Sequence, residues 1–193
     1  MSNSIYLVLD RENDLVHADG PNGNAAYGEQ ARGRRIVENT CQALEKARAA
    51  ALRVGFVRVG FSPDYRECPV NSPIFSAARK NGIFKLGEWG TQVHPDLGQQ
   101  PGDFDIIKHR VSPFHGTNLD LILRTHGVRR IYCSGISTNA VIQAAMREGH
   151  DRDYEMVLLE DCCCALSTEE HESSIKLLQR FCQIKTSKDV IFE

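Results

Sequence analysis

The sequence has no apolar run approaching the ~20 residues that a membrane-spanning helix needs. It also has little charge imbalance, with 23 Lys and Arg against 25 Asp and Glu, and its cationic residues are scattered. Neither nucleic acid nor a membrane surface is therefore expected as a partner. Residues 1–4 lack the basic region and cleavage site of a secretory signal, so we expect a cytoplasmic location.

The seven cysteines contain no Cys-x-x-Cys pair, and three of them are adjacent, at 162–164. An odd number without regular spacing does not fit a disulfide framework, so we expect reduced thiols in a reducing compartment. Neighbouring residues of an extended chain point to opposite faces, so the three adjacent thiols are not arranged to bind one metal ion. We interpret these cysteines as small buried apolar side chains.

What the sequence does have is an alternation of short apolar runs with helical patterns, in a composition that is 41% hydrophobic and 25% charged. This alternation predicts a three-layer α/β/α fold, with a doubly wound, mostly parallel sheet of about six strands. We expect one domain over residues 1–193. Residues 60–103 lack clear periodicity and are expected to form functional loops. The predicted strands are 5–9, 54–59, 104–107, 130–133, 155–159 and 190–192. The predicted helices are 33–52, 119–125, a helix after 139 that ends near 149, and 168–181. Thr168 is the predicted N-cap of the last helix.

Polar residues follow several of the predicted strands, where ligands bind in open parallel sheets. Asp10 directly follows the first strand, and Lys108 follows the strand at 104–107. Residues 135–139 form a tight turn into a helix, whose free N–H groups suit an anion or oxyanion. Taken singly, Asp10 also fits a capping residue, Lys108 a solvated flank and the turn a simple connection. Together at one sheet edge, the three would surround a single cleft.

Three segments near these strand ends carry a family resemblance. They are Leu-Val-Leu-Asp-Arg-Glu-Asn-Asp at 7–14, Lys108 with Phe-His-Gly-Thr-Asn-Leu at 114–119, and Gly-Ile-Ser-Thr-Asn at 135–139 with Ala144, Arg147 and Glu-Asp-Cys at 160–162. With these segments the sequence is similar to the isochorismatase-like family, which includes nicotinamidases, N-carbamoylsarcosine amidohydrolases and true isochorismatases. The likeness covers nearly the whole chain and is nearest to uncharacterised bacterial members that also lack the family's cysteine. Glu12 stands where the family usually has Gln.

The resemblance implies an Asp–Lys–Cys triad whose third member is missing. In the family's amidases a cysteine thiolate attacks a carbonyl carbon, an aspartate relays protons, and a lysine keeps the charge balanced. Asp10 and Lys108 match the first two, and Ile136–Ser137 would be the family's non-proline cis peptide beside the oxyanion. The cysteine position falls at Val141. Valine carries no nucleophile and no transferable proton, so a thioester at this position is impossible.

Two main interpretations remain open. The first is a hydrolase without a covalent intermediate, as the resemblance implies for true isochorismatases: Asp10 protonates a substrate such as a vinyl ether, and water attacks the cation. Asp10 would then need a pKa raised by burial, against the effect of Lys108. The second is a catalytically inactive member that binds a small molecule or a protein partner, with Asp10 and Lys108 kept as a salt bridge. A cavity lined by both residues and open beside Val141 would favour the first.

Two further interpretations carry less weight. A nucleophile displaced to Cys133 or to residues 162–164 has the wrong place in the chain on this strand assignment. A valine introduced to trap a substrate is the other, although serine or alanine is the more usual choice for that purpose.

The remaining expectations concern the metal, the substrate and the assembly. Nicotinamidase-type members bind a metal through one Asp and two His after the second strand, and the matching stretch, 59–68, has Asp64 but no His. We therefore expect no metal and no cofactor. The resemblance implies a small-molecule substrate and a homo-oligomer, either a dimer or a tetramer. The candidate substrate-binding residues are Trp89, Arg110, Phe114, His115, Ile136, Ser137 and Asn139.

Three of these candidates have a chemical reason. Arg110 has the fork geometry that pairs with a carboxylate, His115 suits the role of a proton shuttle, and the single Trp89 suits stacking on a ring. A surface ion pair, a loop histidine without a role and a loop anchor are the respective alternatives.

Overall fold

The computed structural model describes residues 2–193, and its centre is a parallel sheet. The six strands are β1 (Ser4–Leu9), β2 (Arg53–Val59), β3 (Phe104–Lys108), β4 (Arg130–Ile136), β5 (Glu155–Cys164) and β6 (Gln183–Lys185). The helices are α1 (Asn13–Val16), α2 (Ala26–Gly33), α3 (Ile36–Ala49), α4 (Ser76–Asn81), α5 (Leu119–Thr125), α6 (Gln143–Asp151) and α7 (Thr168–Leu178). Short 3₁₀ turns lie at Trp89–Thr91 and Pro95–Leu97, and a π-helical turn, Thr138–Ile142, leads into α6.

The strand order is β3-β2-β1-β4-β5-β6, and every neighbouring pair is parallel. The chain therefore builds outward from β1 in one direction and then, from β4, in the other. In sheets of this kind the crevice for ligands opens where the direction reverses, at the carboxyl ends of the strands. The predicted fold, a doubly wound sheet of about six strands, is confirmed, and the sheet is wholly parallel.

Helices cover both faces of the sheet, which explains why β1 is apolar from Ile5 to Leu9. Ile5, Leu7 and Leu9 point into a core formed with α5, α6 and α7, while Tyr6 and Val8 point into a second core formed with α3. Because successive side chains of a strand alternate between faces, a strand covered on both sides needs an uninterrupted apolar run. No helix within residues 2–193 is long and apolar enough to cross a membrane.

Several predicted boundaries differ from the observed ones. The strand predicted at 155–159 continues to Cys164, so the three adjacent cysteines lie within β5 and not after it. The N-cap of α7 is Ser167 and not Thr168: the Ser167 hydroxyl accepts a hydrogen bond from the backbone N–H of Glu170, at 3.2 Å. Residues 60–103 contain α4 and the two 3₁₀ turns, which are too short to show a periodic pattern.

The predicted last strand, 190–192, is wrong. The sixth strand is β6, a short and largely exposed edge strand without an apolar run to reveal it. Residues 190–192 are apolar for another reason, because Val190 and Phe192 are buried in the core beneath α3. The ring of Phe192 lies 4.7 Å from that of Tyr132 and 5.6 Å from that of Tyr6, measured between centroids.

We expect Phe192→Ala to lower the free energy of unfolding by about 3 kcal/mol, because it leaves a cavity beside two aromatic rings. Urea unfolding followed by circular dichroism measures this loss. Ile191→Ala is the matched control, since Ile191 is 77% exposed and Phe192 only 8%; we expect it to change the free energy by less than about 0.5 kcal/mol. Equal effects of the two substitutions would contradict the packing described for this segment.

Candidate active site

A buried ion pair joins two strand ends at the carboxyl edge of the sheet. Asp10 follows β1 and Lys108 ends β3, and the Lys108 Nζ lies 2.9 Å from Asp10 Oδ2 across the end of β2. The Nζ also donates to the carbonyl of Arg110, at 3.1 Å. Asp10 has a φ of +53°, in the left-handed region that Asp tolerates better than most residues. The pair of residues that the sequence suggested is thus brought together.

A cavity of about 220 Å³ opens beside this ion pair. Val141 is on its wall, as are Ile136 and Ser137 from the turn that follows β4. Most of the other side chains on the wall are apolar. The cavity wall consists of Asp10, Leu15, Asn22, Tyr27, Val59, Ile74, Phe75, Ala77, Ala78, Asn81, Ile83, Phe84, Lys108, Val111, Ile136, Ser137, Ala140 and Val141.

In the described part of the chain, only one of the two carboxyl oxygens of Asp10 is paired. Lys108 occupies Oδ2, whereas Oδ1 is buried and has no hydrogen-bond partner within residues 2–193. Burial raises the pKa of Asp10, while the ammonium of Lys108 and the guanidinium of Arg11 act in the opposite direction. A carboxyl group of raised pKa is able to donate a proton as well as accept one.

The turn after β4 is held from behind by a polar network. The peptide between Ile136 and Ser137 is cis, at the place that the resemblance predicts. The hydroxyl of Thr138 lies 2.8 Å from Nδ1 of His171, a buried residue of α7. The Nε2 of His171 lies 2.8 Å from Arg34 Nη2 and 3.2 Å from Glu160 Oε2. This network ties the turn to α7, β5 and the segment before α3.

Two buried charged residues of the site were missed by the sequence analysis. Glu12 is fully buried; its Oε1 accepts from the backbone N–H of Val59, at 3.2 Å, and its Oε2 has no partner within residues 2–193. Arg11 is also buried and donates to the carbonyl of Cys162. Their signals in the sequence are their position directly after Asp10 and, for Glu12, its place where the family usually has Gln; burial cannot be read there, because the groups that surround them come from distant strands.

Five of the predicted substrate-binding residues do not lie on the cavity wall. Arg110 donates to the carbonyls of Glu67 and His109, at 2.9 and 2.6 Å. Phe114 is buried in the core, where its ring stacks on Tyr154.

The other three of the five are exposed. His115 lies at the surface, and Asn139 donates to Glu170 Oε2, at 2.9 Å. Trp89 is half-exposed and meets the ring of His17 edge-on. Of the predicted substrate-binding residues, the structure therefore brings only Ile136 and Ser137 to the cavity.

Comparisons with known proteins agree with this geometry. The model of the Isochorismatase domain matches residues 4–189. The chain is 33% identical over 191 residues to the uncharacterised isochorismatase family protein YecD of Escherichia coli O157:H7, an alignment that covers 96% of this chain and 93% of YecD. The chain belongs to the isochorismatase family.

Two further relatives illustrate the range of that family. The ureidoacrylate amidohydrolase RutB of Methylorubrum extorquens is 29% identical over 170 residues, covering 82% of this chain and 68% of RutB. The crystal structure of an isochorismatase family protein from Desulfovibrio vulgaris superposes with a TM-score of 0.86 at 24% identity, covering 97% of this chain and 96% of that one. The second likeness is evidence for the fold alone.

Among the described residues, no cysteine takes the place of the nucleophile on the cavity wall. Cys133, Cys163 and Cys164 are buried, and burial raises the pKa of Cys163 to about 12 and that of Cys164 to about 11. Cys133 and Cys162 are shifted in the same direction, also by burial. Thiols of this kind stay protonated near neutral pH and are poor nucleophiles. The placement of the cysteines therefore counts against a displaced nucleophile.

The loop that binds a metal in nicotinamidase-type members has a different arrangement here. Asp64 is exposed and forms an ion pair with Arg66, at 2.8 Å. Within residues 2–193, no group of three or more His, Cys, Asp or Glu side chains is placed to hold a metal ion.

The burial of Glu12 accounts for its departure from the family's usual Gln. Burial raises the pKa of Glu12 well above its ordinary value, and the carboxylate of Asp10 adds to the effect, while Lys108 and Arg58 oppose it. A protonated carboxyl group has nearly the shape of a side-chain amide and, like it, offers both a donor and an acceptor. In its protonated form Glu12 is therefore a close substitute for Gln.

We expect Glu12→Gln to stabilise the protein above neutral pH. The pKa of Glu12 is higher in the folded chain than in the unfolded chain, so the folded chain keeps the proton longer. The free energy of unfolding then falls as the pH rises above about 4.3, the unfolded value, and Gln removes this fall. Urea unfolding at a series of pH values from 4 to 9 measures the difference between the two proteins.

The control is Glu172→Gln on the exposed side of α7, which we expect to leave the pH dependence unchanged. A difference between Glu12→Gln and the natural protein that stays constant from pH 4 to pH 9 would show that Glu12 is ionised in the folded chain.

Proposed function

We propose that the protein hydrolyses a small molecule without a cysteine nucleophile, with Asp10 as general acid and general base. The observation that carries this proposal is the position of Asp10, which has one oxygen without a hydrogen-bond partner among the described residues, on the wall of a cavity that stays open beside Val141. A site that had lost its chemistry would have no need to keep a charged pair in a buried position, because burying charge costs stability.

Hydrolysis of a vinyl ether illustrates the proton transfers. The protonated carboxyl of Asp10 gives its proton to the terminal vinyl carbon, and the positive charge develops on the carbon that bears the oxygen. Water adds to that carbon and returns a proton to the Asp10 carboxylate. The resulting hemiketal collapses to a ketone and an alcohol, and Asp10 is again protonated. No step needs a group at position 141.

Lys108 balances the charge that this cycle moves. When Asp10 has given up its proton, the carboxylate lies 2.9 Å from the ammonium, so the buried site gains no uncompensated negative charge. The backbone carbonyl of Arg110 keeps Nζ in place through a hydrogen bond of 3.1 Å. The family relationship to amidohydrolases supports hydrolysis as the class of reaction. The cytoplasmic location and the homo-oligomer stay predictions from the sequence.

We expect Asp10→Asn to reduce kcat by roughly 100-fold or more, the usual contribution of general acid–base catalysis, with a much smaller change in KM. Turnover is measured on isochorismate, on neutral vinyl ethers and on a panel of small amides. Asp64→Asn, at an exposed position away from the cavity wall, is the control and is expected to keep full activity. Ligand binding without turnover of any of these substrates would contradict catalysis and favour a catalytically inactive binding protein.

We expect Val141→Ala to keep turnover within about threefold, because the two methyl groups lost from an open wall include no reacting atom. We expect Cys133→Ala and Cys164→Ala, measured with the same substrate, to keep their turnover as Val141→Ala does. A loss of activity of 100-fold in either cysteine variant, with an unchanged circular dichroism spectrum, would show that a thiol takes part in the reaction.

A further inference from the structure

The cavity wall carries no net charge. Among the described residues, its only charged side chains are Asp10 and Lys108, which neutralise each other at 2.9 Å. The other polar side chains on the wall include Asn22, Asn81 and Ser137, which are uncharged. No arginine and no histidine within residues 2–193 lies on it. A molecule that enters therefore finds no free counter-ion.

Arg11, buried next to Asp10, keeps Nε and Nη1 without a hydrogen-bond partner within residues 2–193, but it does not line the cavity. Arg110 and Arg34 are engaged. Arg110 donates to two backbone carbonyls, and Arg34 pairs with Glu160 at 2.9 Å. Arg79 and Lys80 are on α4 together with the wall residues Ala77 and Ala78, but both are exposed. A carboxylate that paired with either of them would remain in water at the mouth of the cavity.

A carboxylate inside the cavity would therefore be penalised twice. It would lose its hydration among apolar side chains, which is costly for an unpaired charge. It would also approach Lys108 only in competition with the carboxylate of Asp10, which carries the same charge sign as the ligand. A ligand cation meets the converse problem, because the one carboxylate that the described residues place on the wall is already paired with an ammonium.

The volume of the cavity and the side chains on its wall indicate which uncharged body and which polar group a ligand would have. An apolar cavity of roughly 150 Å³ already accepts benzene, so the volume of about 220 Å³ suits one ring or a branched chain that bears one small polar group. Phe75, Phe84 and Tyr27 supply an aromatic surface for such a body. Asn22, Asn81 and Ser137 place amide and hydroxyl groups on the wall, and an amide on the ligand is able both to donate to such groups and to accept from them.

We propose that the site selects uncharged molecules, each with an apolar body of one ring or one branched chain and one amide-like polar group, and that it rejects carboxylates. This inference concerns the same site as the proposed function and rests on it, while its test measures binding without turnover. It predicts a ligand preference that differs from ureidoacrylate, the carboxylate named in the RutB relatives.

The test compares matched amides and carboxylates by isothermal titration calorimetry at pH 7.5 with the full chain. The pairs are benzamide with benzoate, and 2-methylpropanamide with 2-methylpropanoate. We expect each amide to bind at least 10-fold more tightly than its carboxylate. A carboxylate that binds as tightly as its amide in both pairs would overturn the proposal, as would the absence of binding by both amides.

Two variants locate the binding. Ala77→Trp places a large side chain on the wall at an exposed position of α4, where it does not disturb the core, and we expect it to weaken benzamide binding at least 10-fold. Ala50→Trp is the matched control, because Ala50 is exposed at the end of α3 and lies off the wall. Equal binding by the two variants would place the amide outside the cavity and would also overturn the proposal.

The outcome for ligand selection is separable from the outcome for catalysis. Benzamide binding that disappears in Ala77→Trp, together with a failure to hydrolyse any tested substrate, would support the ligand preference and contradict the proposed function. If the protein turns over a carboxylate substrate and Asp10→Asn abolishes that turnover, the proposed function is supported and the ligand preference is contradicted.

Discussion

The ion pair between Asp10 and Lys108 is the interaction on which the rest of the site depends. It spans the end of β2 and joins two strands that are not neighbours in the sheet. A buried pair of this kind contributes little net stability, because the desolvation of two charges offsets much of their attraction. Removing either partner, however, would leave an unpaired charge beneath the cavity. The pair is therefore better understood as a constraint on the chemistry than as a source of stability.

The surroundings of the pair adjust to it. Burial raises the pKa of Glu12, and the carboxylate of Asp10 adds to this effect, because a second negative charge close by is unfavourable. The apolar wall keeps water away from Oδ1 of Asp10, which is one reason why the pKa of this residue is raised as well. The turn that carries Val141 is supported by His171 from the side away from the cavity. None of these features requires a nucleophile at position 141.

The strand ends could be predicted from the sequence, whereas the cavity wall could not. An uninterrupted apolar run marks a strand that is buried on both faces, and Asp10 directly follows such a run, while Lys108 follows the strand predicted at 104–107. The alternating topology then places both residues at one edge of the sheet. The wall residues between 74 and 84 come from a stretch without periodicity, so nothing in their order indicates that they face Asp10. Nearness in sequence was also misleading. Arg110 and Phe114 follow Lys108 closely, but Arg110 donates to the carbonyl of Glu67 in the loop after β2, and Phe114 is buried in the core.

The prediction of the last strand was wrong for a similar reason, because the sequence does not show where an apolar segment packs. Val190 and Phe192 are apolar because a core receives them, not because they pair with a neighbouring strand. A short apolar segment is compatible with either role, and only the tertiary structure distinguishes them.

The wall and the proton-transfer group come from different kinds of chain segment, and this has an evolutionary consequence. Asp10 and Lys108 are fixed by the ends of the sheet strands β1 and β3, where a substitution disturbs the pairing of the strands. Much of the wall comes from residues 15–27 and 74–84, which lie outside the sheet and tolerate change more readily. Lineages that share this fold are therefore free to diversify in the molecules they accept while inheriting one way of moving a proton.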